Sequence, residues 1–137
     1  MIPEQHPIPG IGMIIVRDGK VLVGLRQGSH GEGTWAFPGG KISRWESPFQ
    51  TATRELLEET GMTVTGVRPV SFADCQYPEN DKHFVTLFVE VEAEGEPELL
   101  EPAKCREWQF VDWDAIPTPR LRGINELIES GYRPQGC

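Results

Sequence analysis

An α/β/α sandwich on a mixed β-sheet is the fold this chain predicts, and three observations predict it. Segments follow one another as strand, strand, strand, helix, strand, strand, strand, helix. Two of them carry apolar residues at helical spacing with recognisable ends. A third, residues 83–91, is the best strand of the carboxyl half and belongs at the centre of the sheet. At 137 residues the chain is long enough for one continuous core and too short for a second, so a single domain spans residues 1–137.

Taken in order, residues 1–9 form a Pro-rich arm, extended or loosely ordered. Residues 11–16 are apolar and β-branched, Asp18-Gly19 marks a hairpin turn, and residues 21–25 return as the second strand. Arg26 ends that strand. Residues 27–33, with three glycines and His30, are a connector or a lid, and residues 34–37 form a short third strand leading to Pro38, Gly39 and Gly40. Ser47 then has the chemistry of an N-cap, Pro48 suits the first helical position, and Gln50 completes a capping box. Gly61 supplies the stop. Ala52, Leu56 and Phe49 make the inner stripe of this helix.

Beyond it, residues 63–73 read as a strand bent near Gly66 and Pro69, and residues 76–82 as a polar loop. Strand 83–91 follows, then an acidic, Pro-interrupted segment over 92–102. Residues 107–111 are strand-like, residues 112–114 start a turn, and 121–130 form the second helix, its inner stripe Leu121, Ile124, Leu127 and Ile128. No internal repeat is present.

Composition narrows the function. Hydrophobic residues at 38% and charged ones at 25% describe a globular chain. No apolar run approaches the roughly 20 residues of a membrane span, and the amino end lacks the basic and apolar regions of a signal peptide, so no membrane partner and a cytoplasmic setting are expected. Cys75, Cys105 and Cys137 lack metal-site spacing and read as free thiols. A formal charge of -8 argues against a nucleic-acid polymer as partner, which would need clustered Lys and Arg.

The first helix carries the chemistry. Glu55, Glu58 and Glu59 stand at i, i+3 and i+4 and share one face. Like charges so spaced weaken an isolated helix by about 0.2–0.5 kcal/mol per pair, and its last turn favours cations. A divalent cation reverses that sign, because Mg²⁺ or Mn²⁺ is held by such carboxylates together with substrate phosphates. A solvated acidic face is the competing reading. Arg54 is placed to steady Glu58 across one turn.

Residues 40–62, GKISRWESPFQTATRELLEETGM, resemble the Nudix hydrolase signature G-x(5)-E-x(7)-R-E-apolar-x-E-E-x-G-apolar. Gly40, Glu46, Arg54, Glu55, Leu56, Glu58, Glu59, Gly61 and Met62 all match it. Ser43 stands where a further Glu is frequent and Trp45 where Gly is usual. The stretches GLRQGSHGEGTWAFPGG, HFVTLFV and EPAKCREWQFVDW resemble the branch of small Nudix enzymes that hydrolyse nucleoside triphosphates, including oxidised ones, so the likeness covers most of the chain.

That resemblance implies a loop-helix-loop holding one to three divalent ions, Mg²⁺ with Mn²⁺ as the alternative, at Glu55, Glu58, Glu59 and Gly39. It implies cleavage of a nucleoside triphosphate to monophosphate and pyrophosphate, with a nucleotide-sugar or dinucleotide pyrophosphatase, or a non-catalytic nucleotide sensor, as alternatives. Glu58 or Glu59 is the candidate general base, with Glu98 and Glu101 the distal candidates and Arg54 in support. For substrate contact the candidates are Arg26 at phosphate, Trp35 along the cleft, the Gly39-Gly40 turn, and Phe37, Phe72, Phe84 and Trp108 as an aromatic wall. His83 is either an edge histidine or a further contact. Trp45 must avoid positive φ or accept backbone strain, and its indole is either a partly exposed side chain, a wall of the cleft beside Glu46, or a homodimer contact, the reading favoured here.

Overall fold

The computed structural model describes residues 6–28 and 30–137, so residues 1–5 of the expected arm and Ser29 of the expected loop lie outside the described residues. The elements are β1 (Ile8–Arg17), β2 (Lys20–Arg26), β3 (Trp35–Ala36), β4 (Gly39–Lys41), α1 (Pro48–Thr60), β5 (Thr63–Tyr77), β6 (Lys82–Glu94), β7 (Cys105–Asp112) and α2 (Arg122–Glu129). Short 3-10 turns occupy Pro78–Asn80 and Trp113–Ala115. Among the described residues no helix is long and apolar enough to cross a membrane.

Both faces of the sheet are covered, as expected. Successive residues of β1 and β2 feed opposite cores: Met13, Ile15 and Leu22 pack with Ala52 and Leu56 of α1, whereas Ile14, Val21 and Val23 pack on the side of Ile124 and Leu127 of α2. Period-two alternation between two apolar environments is what produces an unbroken apolar run. β6 lies between β1, to which it is parallel, and β5, to which it is antiparallel, so the sheet is mixed and β6 is internal. β5 shifts register at Val64/Gly66 and again at Pro69/Ser71, where bending was expected.

Asp18 and Gly19 close the β1–β2 hairpin with φ of 53° and 76°, the left-handed pair a two-residue turn requires. The two strands pair only at Val16–Val21 and Arg17–Lys20, then part. β4 joins β1 along Gly10–Gly12, and β3 joins β2 at Gly24 and Leu25. Gly10, Gly12 and Gly24 line the opening left between them.

The ends of α1 follow the sequence. Ser47 Oγ accepts from the Gln50 N–H at 3.1 Å, the Gln50 side chain accepts from the Ser47 N–H at 2.8 Å, and Gly61 closes the helix at φ 77°. The expected stripe needs one correction. Phe49 is 49% exposed, and the buried face consists of Thr51, Ala52, Leu56 and Thr60. Thr60 is accommodated because its hydroxyl donates to the Leu56 carbonyl at 2.7 Å and accepts from the Met62 N–H at 3.1 Å.

Trp45 takes the strained alternative. Its φ is 71°, its side chain is 86% exposed, and the Arg44 guanidinium lies 4.8 Å from the ring centroid. A β-carbon in this region costs on the order of 1 kcal/mol or more.

Candidate active site

The opening between β1 and β2 is a cleft of about 610 Å³. Its acidic lining consists of Glu55, Glu59 and Glu101, with Gly39 and Gly40 beside Glu55 and Glu59. Elsewhere its wall is aromatic and apolar, with Phe37, Tyr77, Phe84, Phe88 and Ile124. Four cations, Arg26, Lys41, Lys82 and Lys104, also line it.

Helix α1 delivers Glu55 and Glu59 one turn apart, and their carboxyl groups hydrogen-bond to each other. Burial, reinforced by the charge of Glu55, pushes Glu59 up to about 9, although the Gly39 N–H donates to it and works the other way. A β-carbon at Gly40 would overlap the Glu55 carboxylate, so any other residue there pushes that flexible side chain aside. Gly39 is constrained by the Ile11 carbonyl of the paired strand. Gly40→Ala is therefore expected to displace Glu55, raising the Mg²⁺ midpoint of turnover by about 10-fold or more while the capped helix stays folded, as activity titration and circular dichroism would show.

Arg54 is the hub of the loop before α1. Its Nε and Nη2 bond Glu46 in bidentate fashion at 2.6 and 2.9 Å, and its Nη1 bonds Glu55 at 2.8 Å. The expected partner Glu58 is the weakest of the three, at 3.5 Å. Bonds from Arg54 first, then from the Ser43 N–H and the Thr51 hydroxyl, pull Glu46 down to about 2.

Several candidates meet in the cleft: Arg26, Phe37, Gly39, Gly40, Glu55, Glu59 and Glu101, with Phe84 and Trp108 on its wall. Others lie elsewhere. Trp35 does not line the cleft; its N–H donates to the Pro119 carbonyl at 2.8 Å, its carbonyl accepts from Leu121 at 3.0 Å, and its ring packs on the α2-side core. His83 pairs with Asp74 at 2.6 Å and lines a separate depression with His6 and Lys82. Phe72 is 69% exposed, on the solvent side of β5. The Glu98 N–H donates to the Thr60 carbonyl at 2.9 Å, which places Glu98 beside the end of α1, outside the cleft. Glu58 is half exposed beside the pair.

Reasoning from sequence passed over Tyr77, Phe88, Thr86, Ile124 and the glycine floor. The glycines were the available signal. Gly12 sits mid-strand, where a β-carbon would press within 2.9 Å of the Phe88 ring, and at Gly24 one would overlap Trp108.

Among the described residues no three His, Cys, Asp or Glu groups are already drawn together as a metal cage. The donor set nonetheless fits a divalent ion. Glu55 and Glu59 offer hard oxygen donors one turn apart, and a cation would favour the charged form of Glu59 that burial and the Glu55 charge disfavour.

The NUDIX domain matches residues 6–129. The chain belongs to the Nudix hydrolase family. Its relatives include an oxidized purine nucleoside triphosphate hydrolase from Danio rerio, 35% identical over 110 residues, which are 80% of this chain and 69% of that protein. An RNA pyrophosphohydrolase from Yersinia enterocolitica is 41% identical over 69 residues, 50% of this Nudix chain and 38% of the relative. A MutT Nudix hydrolase from Burkholderia pseudomallei superposes with a TM-score of 0.85 at 28% identity, covering 90% of this chain and 97% of that one.

Proposed function

We propose that this Nudix chain works as a single domain hydrolysing a nucleoside triphosphate, standard or modified, to the monophosphate and pyrophosphate with Mg²⁺ or Mn²⁺. The observation that carries this reading is the union, in one cleft, of an aromatic wall and a partly buried carboxylate pair. A nucleotide has the same two halves, a flat apolar base and a polyanion. The Danio rerio relative's substrate class and the net charge of -8 favour a small nucleotide over an RNA chain. Three free cysteines, two of them buried, suit a reducing cytoplasmic setting.

In this reading Glu55, Glu59 and Gly39 hold the ion, Glu58 completes the set, and Arg54 fixes Glu55 and the loop through Glu46. The ion supplies charge neutralisation and a water of lowered pKa. Arg26, Lys41 and Lys104 orient phosphates along the cleft. Glu58 or Glu59 takes the proton from the attacking water, with Glu101 the distal alternative. Phe37 and Phe84 flank the base.

A panel of standard and oxidised nucleoside triphosphates, ADP-ribose and nucleotide-sugars, assayed with separate detection of pyrophosphate and phosphate, tests this. Pyrophosphate release that stops with EDTA is expected. Turnover undiminished by EDTA, or faster cleavage of nucleotide-sugars, would sink the reading. The exposed Trp45, with the half-exposed Phe49 four residues on, further supports a homodimer contact. Equal light-scattering masses for wild type and Trp45→Gly at micromolar chain concentration would refute the dimer.

A further inference from the structure

Among the described residues six large apolar side chains stand exposed, and five of them, Trp45, Phe49, Leu57, Leu99 and Leu100, lie along α1 or at its two ends. Exposed apolar residues scattered singly are ordinary, whereas a contiguous set marks an interaction surface. Phe49, Thr53 and Leu57 recur every four residues and form one ridge of the helix, across from Glu55. Thr53, at the middle, already donates its hydroxyl to the Phe49 carbonyl at 2.8 Å, so covering the ridge strands no polar group there.

The two ends of the ridge differ. Beyond Leu57 it runs into Gly61, which has no side chain, and the Glu98 N–H fixes the neighbouring segment by donating to the Thr60 carbonyl at 2.9 Å. A gap results, flanked by Leu100 Cδ1 and by Glu98 Oε2, which lie 3.5 and 3.0 Å from the point a β-carbon of Gly61 would occupy. At the other end Trp45, two residues before the cap Ser47, projects its indole with the Arg44 guanidinium 4.8 Å from the ring centroid. Among the described residues no salt bridge within the chain uses Arg44 or Glu98.

These features complement one another when the ridge meets its own copy. A two-fold axis through Thr53, perpendicular to α1, lays a second α1 antiparallel on the first, each helix being about 20 Å long. Phe49 of each copy then meets Leu57 of the other. The Trp45 indole of each enters the other's gap at Gly61, against Leu100, and Arg44 arrives beside Glu98. Apolar, shape and charge partners are all supplied by one surface, which is the requirement of an isologous contact.

We propose that the outer ridge of α1 is a two-fold interface between copies of this chain, set in register by Trp45 in the gap at Gly61 and by Arg44 against Glu98. This rests on the homodimer reading given above and adds which residues meet. The ridge faces away from Glu55, so the interface leaves the cleft open. Arg44 and Trp45 belong to the loop whose Glu46 is bonded by Arg54, and Arg54 in turn bonds Glu55. Seating the indole therefore also steadies the loop that supports this carboxylate.

Light scattering and sedimentation velocity over a range of micromolar chain concentrations test the interface. Wild type is expected at twice the chain mass, and Leu57→Lys, a change at an exposed helix position that circular dichroism should find folded, at monomer mass. Arg44→Glu and Glu98→Arg are each expected to weaken association about 10-fold, because the axis repeats every altered contact, and the double reversal to return within about threefold of wild type. A double reversal no tighter than the single ones overturns this register, while the Trp45 contact stands if Trp45→Gly is still monomeric. Wild type of monomer mass throughout overturns both and leaves the ridge to an unlike partner, and masses climbing past two copies overturn the two-fold arrangement. None of these masses depends on turnover, so the hydrolase reading is scored separately by pyrophosphate release.

Discussion

Glu59→Gln is expected to lower turnover about 10²- to 10⁴-fold, the range spanned by loss of a general base, and to stabilise the metal-free protein at alkaline pH. The sign follows from its displaced titration. Folding raises this carboxyl from 4.5 to about 9, so between those values the folded chain keeps a proton that the unfolded chain has released. Its contribution is favourable at the acid end and is progressively lost as pH rises through the folded pKa. Glutamine is neutral throughout and escapes that loss. Thermal melts in EDTA should therefore show the variant ahead by a margin that grows from pH 5 to pH 9. Excess Mg²⁺ should reverse the order, because only the wild type retains a full ligand set whose occupation stabilises the fold. A wild-type melt equally stable from pH 5 to pH 9 in EDTA would mean that Glu59 titrates as an ordinary carboxylate.

The second large effect belongs to Arg54. Arg54→Met removes both hydrogen bonds to Glu46 and the one to Glu55 while preserving the apolar stem. The Mg²⁺ midpoint of turnover should rise about 10-fold or more, as happens when a ligand loses its supporting contact. Stability should change with the opposite pH sense to Glu59. Glu46 is depressed from 4.5 to about 2, so its contribution is present above 4.5 and disappears as pH falls through 2. The gap between wild-type and variant melting temperatures should accordingly be widest near neutrality and close towards pH 2. A constant gap across that range, or an unmoved Mg²⁺ midpoint, would reduce Arg54 to a helix-surface residue.

How much of this was legible in the chain depends on the range over which each feature is decided. Caps are local, so Ser47, Gln50 and Gly61 could be placed from four-residue windows, and Asp18-Gly19 likewise fixed its hairpin. Strand β4 was invisible, because Gly39–Lys41 has no side-chain pattern and becomes a strand only by pairing with β1. Gln76 and Tyr77 were expected in a loop; they extend β5 because His83 and Lys82 of β6 pair with them. Trp35 illustrates a different limit. A two-residue strand states no preference between its faces, and the bonds to Pro119 and Leu121 that turn the indole to the core come from the far end of the chain. Arg54 was given the helical neighbour that spacing offers, Glu58, whereas the loop closing back from Ser43 brings Glu46 nearer. Carboxylates Glu55 and Glu59 were singled out because their spacing opposes local helix stability, a signal readable from i, i+4 positions alone.

The four cations lining the cleft also shape how ligands arrive. Thirteen Lys and Arg serve the whole chain against twenty-one Asp and Glu, so the net charge repels a polyphosphate at long range, whereas four of those cations await it at short range in the cleft. Such an arrangement acts as a kinetic filter. A triphosphate already complexed with a divalent ion carries less charge through the outer field, and encounter becomes faster for it than for the bare polyanion. Added monovalent salt, by shortening the Debye length to about 8 Å at 0.15 M, flattens that outer barrier more than the short-range attraction inside the cleft. The protein's acidity thus selects, at the stage of diffusion and before any contact is made, for the form of substrate that brings its own counter-charge.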